Sequence, residues 1–317
     1  MKFKVMGIAA GRKDSNCEIL LKEALLACQN QGAEVTMINL KDYNILDCTG
    51  CTACTHAMTD GKDVKCVLEG KDDKKAIMDV LLKQDALIFA APTYELLANS
   101  TFIKFMHRNL GYPIPYMEAK GELEHKDRVG ALIAVGGSTL SWQSMALESM
   151  QACAITSGVK IVDMMMAERV PAPKQCLLHN DLIKRAEEVG NNIMKSLNTP
   201  VDERKWLGEE DMGWCPNCHS NALILGKPRW DGACFQVECQ VCGAGGDLQK
   251  TEDGKWKFVI SEEGKKYARL NYKGGDDHLK EIAYTKGGFY TKENLDTVKE
   301  KFVKYKNIKF PTVKKEK

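Results

Sequence analysis

The spacing of the cysteines constrains this chain more than any other feature. Eight of its thirteen cysteines fall into two groups of four, one within residues 48–66 and one within residues 215–242. Thiols at such short spacings bind metal more often than they form disulfides, and a disulfide framework is not expected in a reducing compartment. The spacing therefore predicts two metal centres, one for each group of four cysteines.

The first 198 residues alternate apolar runs with amphipathic stretches. Five runs have the composition of buried strands: residues 3–10, 33–40, 86–91, 129–135 and 159–165. Helical spacing of apolar residues predicts helices after Ser15 and over residues 72–84, 98–109, 140–152 and 182–197. Strands buried on both faces and joined by helices form a parallel sheet. The pattern predicts an α/β, flavodoxin-like domain with a doubly wound, five-stranded parallel sheet over residues 1–198.

The composition changes after residue 198. Residues 199–211 are polar and predict a linker, whereas residues 212–317 contain short strand-like runs, a helical stretch over 291–305 and a lysine-rich end. We expect that end to be a solvated basic tail, with docking onto an acidic electron carrier as the alternative. Residues 212–317 are therefore predicted to form a small β-rich domain with a C-terminal helix and a basic tail.

Two C-x2-C pairs mark the metal centre of this second region. Cys215 and Cys218 are separated by twenty residues from Cys239 and Cys242. Two such pairs close a tetrahedral site of four thiolates, which accommodates zinc or a single iron. The pattern resembles zinc ribbons and rubredoxins. Zinc, the favoured metal, would stabilise a domain with little core, and iron would add a redox centre.

The other cysteines follow the second predicted strand. Cys48, Cys51 and Cys54 form a C-x2-C-x2-C run, and Cys66 follows after eleven residues. This compact spacing is typical of ligands to an iron–sulfur cluster, and the small residues between the first three cysteines leave room for it. The spacing predicts a 4Fe–4S cluster, with zinc or a redox-active thiol pair as alternatives.

The loop after the first strand has the features of a phosphate site. It matches neither the dinucleotide fingerprint nor the P-loop. Small residues at positions 9–11 let the backbone approach a ligand, Arg12 and Lys13 supply charge, and Ser15 and Asn16 supply donors where a helix begins. An ordinary strand-to-helix turn is the alternative.

Two further loops favour a flavin site at the same place. Pro92, Thr93 and Tyr94 end the third strand, and Gly136, Gly137 and Ser138 follow the fourth. Ligands of open parallel sheets bind at the carboxyl ends of the strands, where all three loops meet. The cysteine loop leaves the second strand on that edge too, so the two cofactors would share it.

These motifs resemble the iron–sulfur flavoproteins of anaerobic archaea and bacteria, within the wider NADPH-dependent FMN reductase group. The resemblance covers residues 1–198 and depends on the four-cysteine loop, the first loop and Pro92-Thr93-Tyr94. It implies FMN, a 4Fe–4S cluster, a homodimer or homotetramer, and electron transfer from reduced ferredoxin or a similar donor.

By position, the resemblance also implies the cofactor contacts. Four residues would hold the phosphate: Arg12, Ser15, Asn16 and Cys17. The ring or ribityl chain would contact Pro92, Thr93, Tyr94 and Leu96. Ala10 in the first loop and Gly136, Gly137 and Ser138 in the loop after the fourth strand complete the predicted flavin site because these loops converge, not because of the resemblance. Two departures stand out, because Cys17 replaces the usual threonine or serine and residues 9–12 lack the usual Ser-Pro-Arg order.

The combination predicts a flavin-dependent oxidoreductase that moves electrons between ferredoxin or NAD(P)H and an acceptor. No catalytic acid or base stands out. One alternative is a plain NAD(P)H-dependent FMN or quinone reductase with a structural cysteine loop, and another is a redox-sensing metal-binding protein. A net charge of +2 argues against nucleic-acid binding. With no apolar run long enough to span a membrane and no signal peptide, a cytoplasmic location is expected.

Overall fold

A computed structural model describes residues 2–210, 213–269 and 272–311. The first region contains thirteen elements: β1 (Lys4–Ala9), α1 (Asn16–Asn30), β2 (Glu34–Asn39), α2 (Ala53–Thr59), α3 (Lys74–Leu81), β3 (Ala86–Tyr94), β4 (Leu97–Ala98), α4 (Ser100–His107), α5 (Ile114–Ala119), β5 (Arg128–Val135), α6 (Ala146–Ile155), β6 (Val159–Ala167) and α7 (Asn180–Leu197). Strand and helix alternate as predicted, with short helices added inside two loops.

The central sheet has the order β2-β1-β3-β5-β6, and these five strands are parallel. The two-residue strand β4 pairs antiparallel with the end of β3. This arrangement confirms the flavodoxin-like α/β fold. Because all five strands run in the same direction, the loops after β1, β2, β3, β5 and β6 meet at one edge of the sheet.

Both faces of the sheet are covered by apolar helices. Helices α1 and α7 pack against one face, and α3, α4 and α6 contribute to the core on the other. α1 and α7 also touch closely, since a Cβ on Gly190 would lie 2.1 Å from the carbonyl oxygen of Ala24. Glycine is therefore required where the backbones of these two helices meet.

The second region contains β7 (Leu223–Leu225), β8 (Val237–Cys239), β9 (Gly245–Lys250), β10 (Trp256–Ile260), α8 (Tyr272–Phe289) and α9 (Lys292–Lys306). Its four strands form an antiparallel sheet in the order β10-β9-β8-β7. The predicted separate sheet of this region is confirmed, although helices α8 and α9 contain more of its described residues than the strands do, and α9 coincides with the predicted C-terminal helix. Thr291 caps α9 by accepting a hydrogen bond from the N–H of Asn294 at 3.2 Å.

Some predicted boundaries differ from the structure. The stretch predicted as a helix over 140–152 opens with a 3-10 turn, Leu140–Trp142, and α6 begins only at Ala146. Within the predicted linker, the Trp206 ring stacks on His219 with centroids 4.1 Å apart. The division into domains remains a prediction. Residue 211 of the predicted linker, residue 212 at the start of the predicted second domain and tail residues 312–317 lie outside the described residues.

The two regions touch at two places that matter for the sites. Helix α6 lies against the cysteine pairs of the second region, where Ile155 joins their apolar cluster. Helix α8 packs on α2, which contains Cys54. Over the described residues, none of the helices combines the length and apolar character that crossing a membrane would require.

Candidate flavin site and cysteine centres

A cavity of about 100 Å³ opens at the carboxyl edge of the sheet, between the loops that follow β1, β3, β5 and β6. Nine of the twelve predicted flavin contacts line it: Arg12, Ser15, Asn16, Cys17, Pro92, Thr93, Tyr94, Gly136 and Gly137. Three loops that are far apart in sequence thus meet at one cavity. That these residues contact FMN remains a prediction.

The wall formed by the first loop is suited to a phosphate. Ser15 lies at the N-cap of α1 without making a capping bond, and its buried hydroxyl has no hydrogen-bond partner among the described residues. The nearby thiol of Cys17 is at most a weak partner. Arg12 is exposed at the mouth, and a Cβ on Gly11 would come within 2.7 Å of the Ser15 Oγ. An unpartnered donor, a cation and a helix N-terminus fit a phosphate group.

Asn16 contributes in a different way from the predicted one. Its side chain donates to the carbonyl oxygens of Val170 and Ala172 at 2.8 and 2.9 Å and accepts from the N–H of Cys176 at 3.1 Å. These bonds engage both ends of the amide. The Asn16 side chain therefore holds the segment after β6 against the cavity.

That segment supplies cavity walls that we did not predict. Val170, Pro171 and Pro173 line the cavity together with Val135 at the end of β5. The sequence could have predicted this segment as part of the site, because Pro171 and Pro173 follow the carboxyl end of the last strand, at the edge of the sheet where the other loops converge. Only the packing of the loop brings them to the site.

The other three predicted contacts lie beside the cavity. The Ala10 carbonyl accepts from Asn99 Nδ2 at 2.9 Å. Leu96 has a φ of 71°, and its carbonyl accepts from the N–H of Met145 at 3.2 Å. The Ser138 carbonyl accepts from Gln143 Nε2. Their backbones support the cavity walls.

Gln143 was also missed by the sequence interpretation. It is buried beneath the cavity, and its Oε1 accepts from Thr93 Oγ1 at 3.4 Å. A Cβ on Gly136 would lie 1.8 Å from that same Oε1. Gln143 thus joins the loop after β3 to the loop after β5, and glycine at position 136 makes room for it.

Burial determines the chemistry of Cys17. The thiol is buried at the cavity wall, and desolvation raises its pKa to about 12. It is therefore neutral at physiological pH and is a weaker hydrogen-bond donor than a threonine or serine hydroxyl would be at this position.

Aromatic surface is exposed at the cavity. Tyr94 lines the cavity and is 54 % exposed. The segment that follows it contacts the segment of Trp142, which is 69 % exposed, through a β-bridge between Leu97 and Met145. The Tyr94 ring therefore provides aromatic surface in the cavity lining.

Cys48, Cys51, Cys54 and Cys66, hereafter the open quartet, lie in and after the loop that follows β2. Cys48 and Cys51 are exposed, whereas Cys54 and Cys66 are partly buried. Gly50 and Thr52 have φ values of 65° and 57°, so the backbone coils between the first three thiols. The N–H of Ala53 hydrogen-bonds to Cys51 and lowers the pKa of that thiol, while burial raises the pKa of Cys54.

Cys66 is held from the other side of the loop. Arg108 Nη2 donates to its Sγ at 3.4 Å. A Cβ on Gly111 would come within 2.8 Å of the Cys66 Cβ, so the missing side chain lets the turn approach. Helix α2, which contains Cys54, packs against the same turn, Arg108–Gly111. The turn therefore contacts both Cys66 and the helix that contains Cys54.

Helix α8 and the residue that follows it bind the exposed side of α2. Lys286 Nζ lies 2.5 Å from Asp60 Oδ1 and 3.1 Å from Thr59 Oγ1, and it lowers the pKa of Asp60. The Tyr290 hydroxyl lies 3.2 Å from His56 Nε2. The C-terminal part of the chain therefore helps to hold the helix that contains Cys54.

Cys215, Cys218, Cys239 and Cys242, hereafter the closed quartet, form a compact buried centre. Their sulfur atoms all lie within 4.8 Å of one another, and each cysteine is at most 3 % exposed. Sulfur pairs 215–242 and 218–239 are 3.7 and 3.6 Å apart. Four sulfurs this close are the donor set of one tetrahedral ion.

Side chains of helix α6, in the first region, contact the backbone next to the closed quartet. Gln151 of α6 donates from Nε2 to the Cys218 carbonyl at 2.5 Å. Glu148, one turn earlier, accepts from the N–H of Asn221 at 3.2 Å, and burial raises its pKa. His219 has a φ of 58°, stacks on Trp206, and has its pKa lowered by burial.

Comparison with known proteins defines the class of this chain. The chain belongs to the NADPH-dependent FMN reductase family, whose model matches residues 3–169. It is a flavin-dependent oxidoreductase. The cavity and its unpartnered Ser15 hydroxyl fit the FMN that this family binds.

Individual relatives fall into two groups. A flavone synthase of Aspergillus candidus is 28 % identical over 310 residues, covering 88 % of each chain. Iron–sulfur flavoproteins of Methanocaldococcus jannaschii and Methanosarcina thermophila are each 26 % identical, over 46 % of this chain and 68 % and 70 % of their own. Among solved structures, a flavone reductase has a TM-score of 0.72 at 22 % identity, covering 99 % of this chain and 100 % of its own.

Proposed function

We propose that this protein is an iron–sulfur flavoprotein that exchanges electrons between a one-electron carrier and a two-electron organic acceptor. The observation that carries the proposal is the shared edge: the cavity and the open quartet both lie on loops at the carboxyl ends of the parallel strands. When bound, FMN supplies both hydride and single-electron chemistry, and a 4Fe–4S cluster supplies single-electron transfer.

The residues of the open quartet fit a cluster. Four thiols are available, three of them closely spaced in a loop whose small residues and positive φ angles leave backbone N–H groups near sulfur. The quartet is not gathered as tightly as the closed one, and a cluster of four irons needs more space between its ligands than a single ion. Arg108 provides a charged hydrogen bond to the fourth thiol.

In the flavin site, the chain's own residues bind and orient. The Ser15 hydroxyl, the N-terminus of α1 and Arg12 would hold the phosphate. Gln143 keeps Thr93 and the loop at Gly136 at a fixed separation. These groups account for binding and orientation of the cofactor.

For the acceptor, we propose a planar unsaturated carbonyl compound of the flavone type. The relatives that match nearly the whole chain are named for flavone chemistry, whereas the iron–sulfur flavoproteins match only the first region. The exposed ring of Tyr94 in the cavity lining suits a planar aromatic molecule. Reduction of such a compound consumes two electrons and two protons.

For the closed quartet, we propose zinc in a structural role. Burial of all four thiols leaves no open coordination position for a substrate, as in structural zinc sites. A single iron would instead make this centre a further electron carrier. Ferredoxin or NAD(P)H as donor, a homodimer or homotetramer, and a cytoplasmic location remain predictions.

A second candidate is a plain NAD(P)H-dependent flavin or quinone reductase, favoured by the family match over residues 3–169. In that case the open quartet has a structural role only. The two candidates differ in whether electrons from a one-electron donor reach the flavin through the cluster.

Stopped-flow spectroscopy under anaerobic conditions separates them. We expect reduced ferredoxin to reduce the flavin of the wild-type protein, and Cys51→Ala to abolish that reaction while NAD(P)H still reduces bound FMN. Cys234→Ala is the matched control, because Cys234 is an exposed cysteine outside both quartets. Equal rates of ferredoxin-driven reduction in wild type and Cys51→Ala would contradict the proposal and favour the plain reductase.

A further inference from the structure

A buried ion pair closes the loop that contains the open quartet. The carboxylate of Asp72 pairs with Arg108, and the two side chains are 0 % and 1 % exposed. Asp72 Oδ2 also accepts from the N–H of Leu46 at 2.8 Å. Arg108 Nη1 donates to the Leu46 carbonyl at 3.4 Å, and its Nη2 donates to Cys66 Sγ at 3.4 Å. One guanidinium therefore joins the start of the cysteine loop to its last cysteine.

Burying this pair is costly for stability alone. Removing two charges from water carries a penalty that their attraction offsets only with good geometry, and apolar side chains often replace such pairs without loss. Arginine is the side chain suited to this place because its planar fork can serve two partners at once. Burial opposes the charge of Arg108, but the hydrogen bonds with Cys66 and Asp72 outweigh it and raise the pKa of the guanidinium.

The positive charge of Arg108 would change the reduction potential of a cluster that Cys66 binds. Hydrogen bonds to the ligand sulfurs and the net charge around an iron–sulfur cluster set its reduction potential. Reduction adds one electron and therefore one negative charge. A fixed cation that donates to a ligand thiolate stabilises the reduced state, and a nearby anion has the opposite effect.

We propose that Arg108 is a positioning residue that orients Cys66 and raises the reduction potential of the cluster at the open quartet, with Asp72 as its opposing counter-charge. This inference depends on the proposed cluster. The one-electron couple involves no bond making or breaking, and the electron comes from the external reductant.

The test is a potentiometric titration with dithionite, monitored by the electron paramagnetic resonance signal of the reduced cluster. Arg108→Gln should shift the midpoint potential to more negative values, and Asp72→Asn should shift it to more positive values. Arg108→Lys keeps the charge and should stay close to the wild-type potential. Arg185→Gln is the control, because Arg185 pairs with the fully buried Asp163 on the other face of the sheet.

The opposite signs distinguish electrostatics from general damage to the loop. If Arg108→Gln misfolds because Asp72 is left unpaired, the double variant Arg108→Gln/Asp72→Asn removes both charges, and its potential should fall below that of Asp72→Asn alone. Unchanged potentials, or shifts of one sign in both single variants, would overturn the inference. A wild-type protein without acid-labile sulfide would overturn the proposed cluster itself, which is a separate outcome.

Discussion

The two cysteine quartets of this chain use the same ligand atom in opposite settings. The closed quartet, formed by two C-x2-C pairs, is buried against helix α6. Its four sulfur atoms are close enough together to bind one ion. The open quartet has two exposed thiols on an irregular loop and depends on a turn from elsewhere to position its fourth. This difference supports the division of labour that we propose, in which the closed quartet stabilises the fold and the open quartet exchanges electrons.

The largest expected effect comes from breaking the closed quartet. Cys242→Ser should lose the metal and unfold the second region, because structural zinc contributes about 10–16 kcal/mol of binding free energy that is also folding free energy. Limited proteolysis and metal analysis would detect the loss. Cys51→Ser is the matched variant, and its second region should stay folded and as resistant to proteolysis as in the wild type, since Cys51 is an exposed thiol of the first region. Equal destabilisation by both substitutions would erase the proposed contrast.

The flavin cavity contains a donor, the Ser15 hydroxyl, that has no hydrogen-bond partner among the described residues. Ser15→Ala should raise the dissociation constant of FMN about tenfold or more, because a hydrogen bond to a charged group is worth about 1.5–3 kcal/mol. Quenching of flavin fluorescence on titration measures this constant. Ser141→Ala, an exposed serine outside the cavity lining, should leave it unchanged. An unaltered affinity in Ser15→Ala would mean that the phosphate is held elsewhere.

A smaller effect probes the contact between α6 and the closed quartet. Gln151→Ala removes the donor to the Cys218 carbonyl and also removes an amide oxygen that has no partner among the described residues, so a net cost of about 1 kcal/mol is expected. Urea unfolding of the metal-loaded protein measures it. Gln249→Ala on exposed β9 is the control. If the two variants are equally stable, α6 does not support the quartet.

The smallest effect concerns pH. Burial lowers the pKa of His219 below its ordinary value of 6.5, so the folded state favours the neutral ring. The stability it contributes is complete above pH 6.5 and is lost as the pH falls from there through the lower folded pKa. His219→Asn, which tolerates the left-handed backbone, should flatten this dependence by less than about 1 kcal/mol. Thermal unfolding at several pH values checks it, and an unchanged slope would contradict this assignment.

The features that the sequence predicts well are local or topological. The closed quartet is visible because each C-x2-C pair forms its own turn, and the cavity loops are visible because parallel strands share one carboxyl edge. Helix α8 was missed, since glycines at 274–275 and 287–288 interrupt its apolar period. The bond between Arg108 and Cys66 depends on how the end of α4 packs, which no short pattern encodes.

At the flavin site, the sequence predicts which loops meet but not which side chains hold them together. Asn16, predicted as a phosphate contact, lines the cavity, but its side chain binds a segment more than 150 positions away. Gln143 was overlooked because an isolated glutamine carries no motif. Its role is recognisable only when Gly136 and Thr93 are seen around it.

Metal and sulfide analysis of anaerobically purified protein tests the central contrast most directly, when wild type is compared with Cys51→Ser and Cys242→Ser. We expect about four irons, about four acid-labile sulfides and about one zinc per wild-type chain. Cys51→Ser should lose iron and sulfide while keeping zinc, and Cys242→Ser should lose zinc. A wild-type protein without sulfide, or one whose two quartets lose the same metal together, would contradict the division of labour.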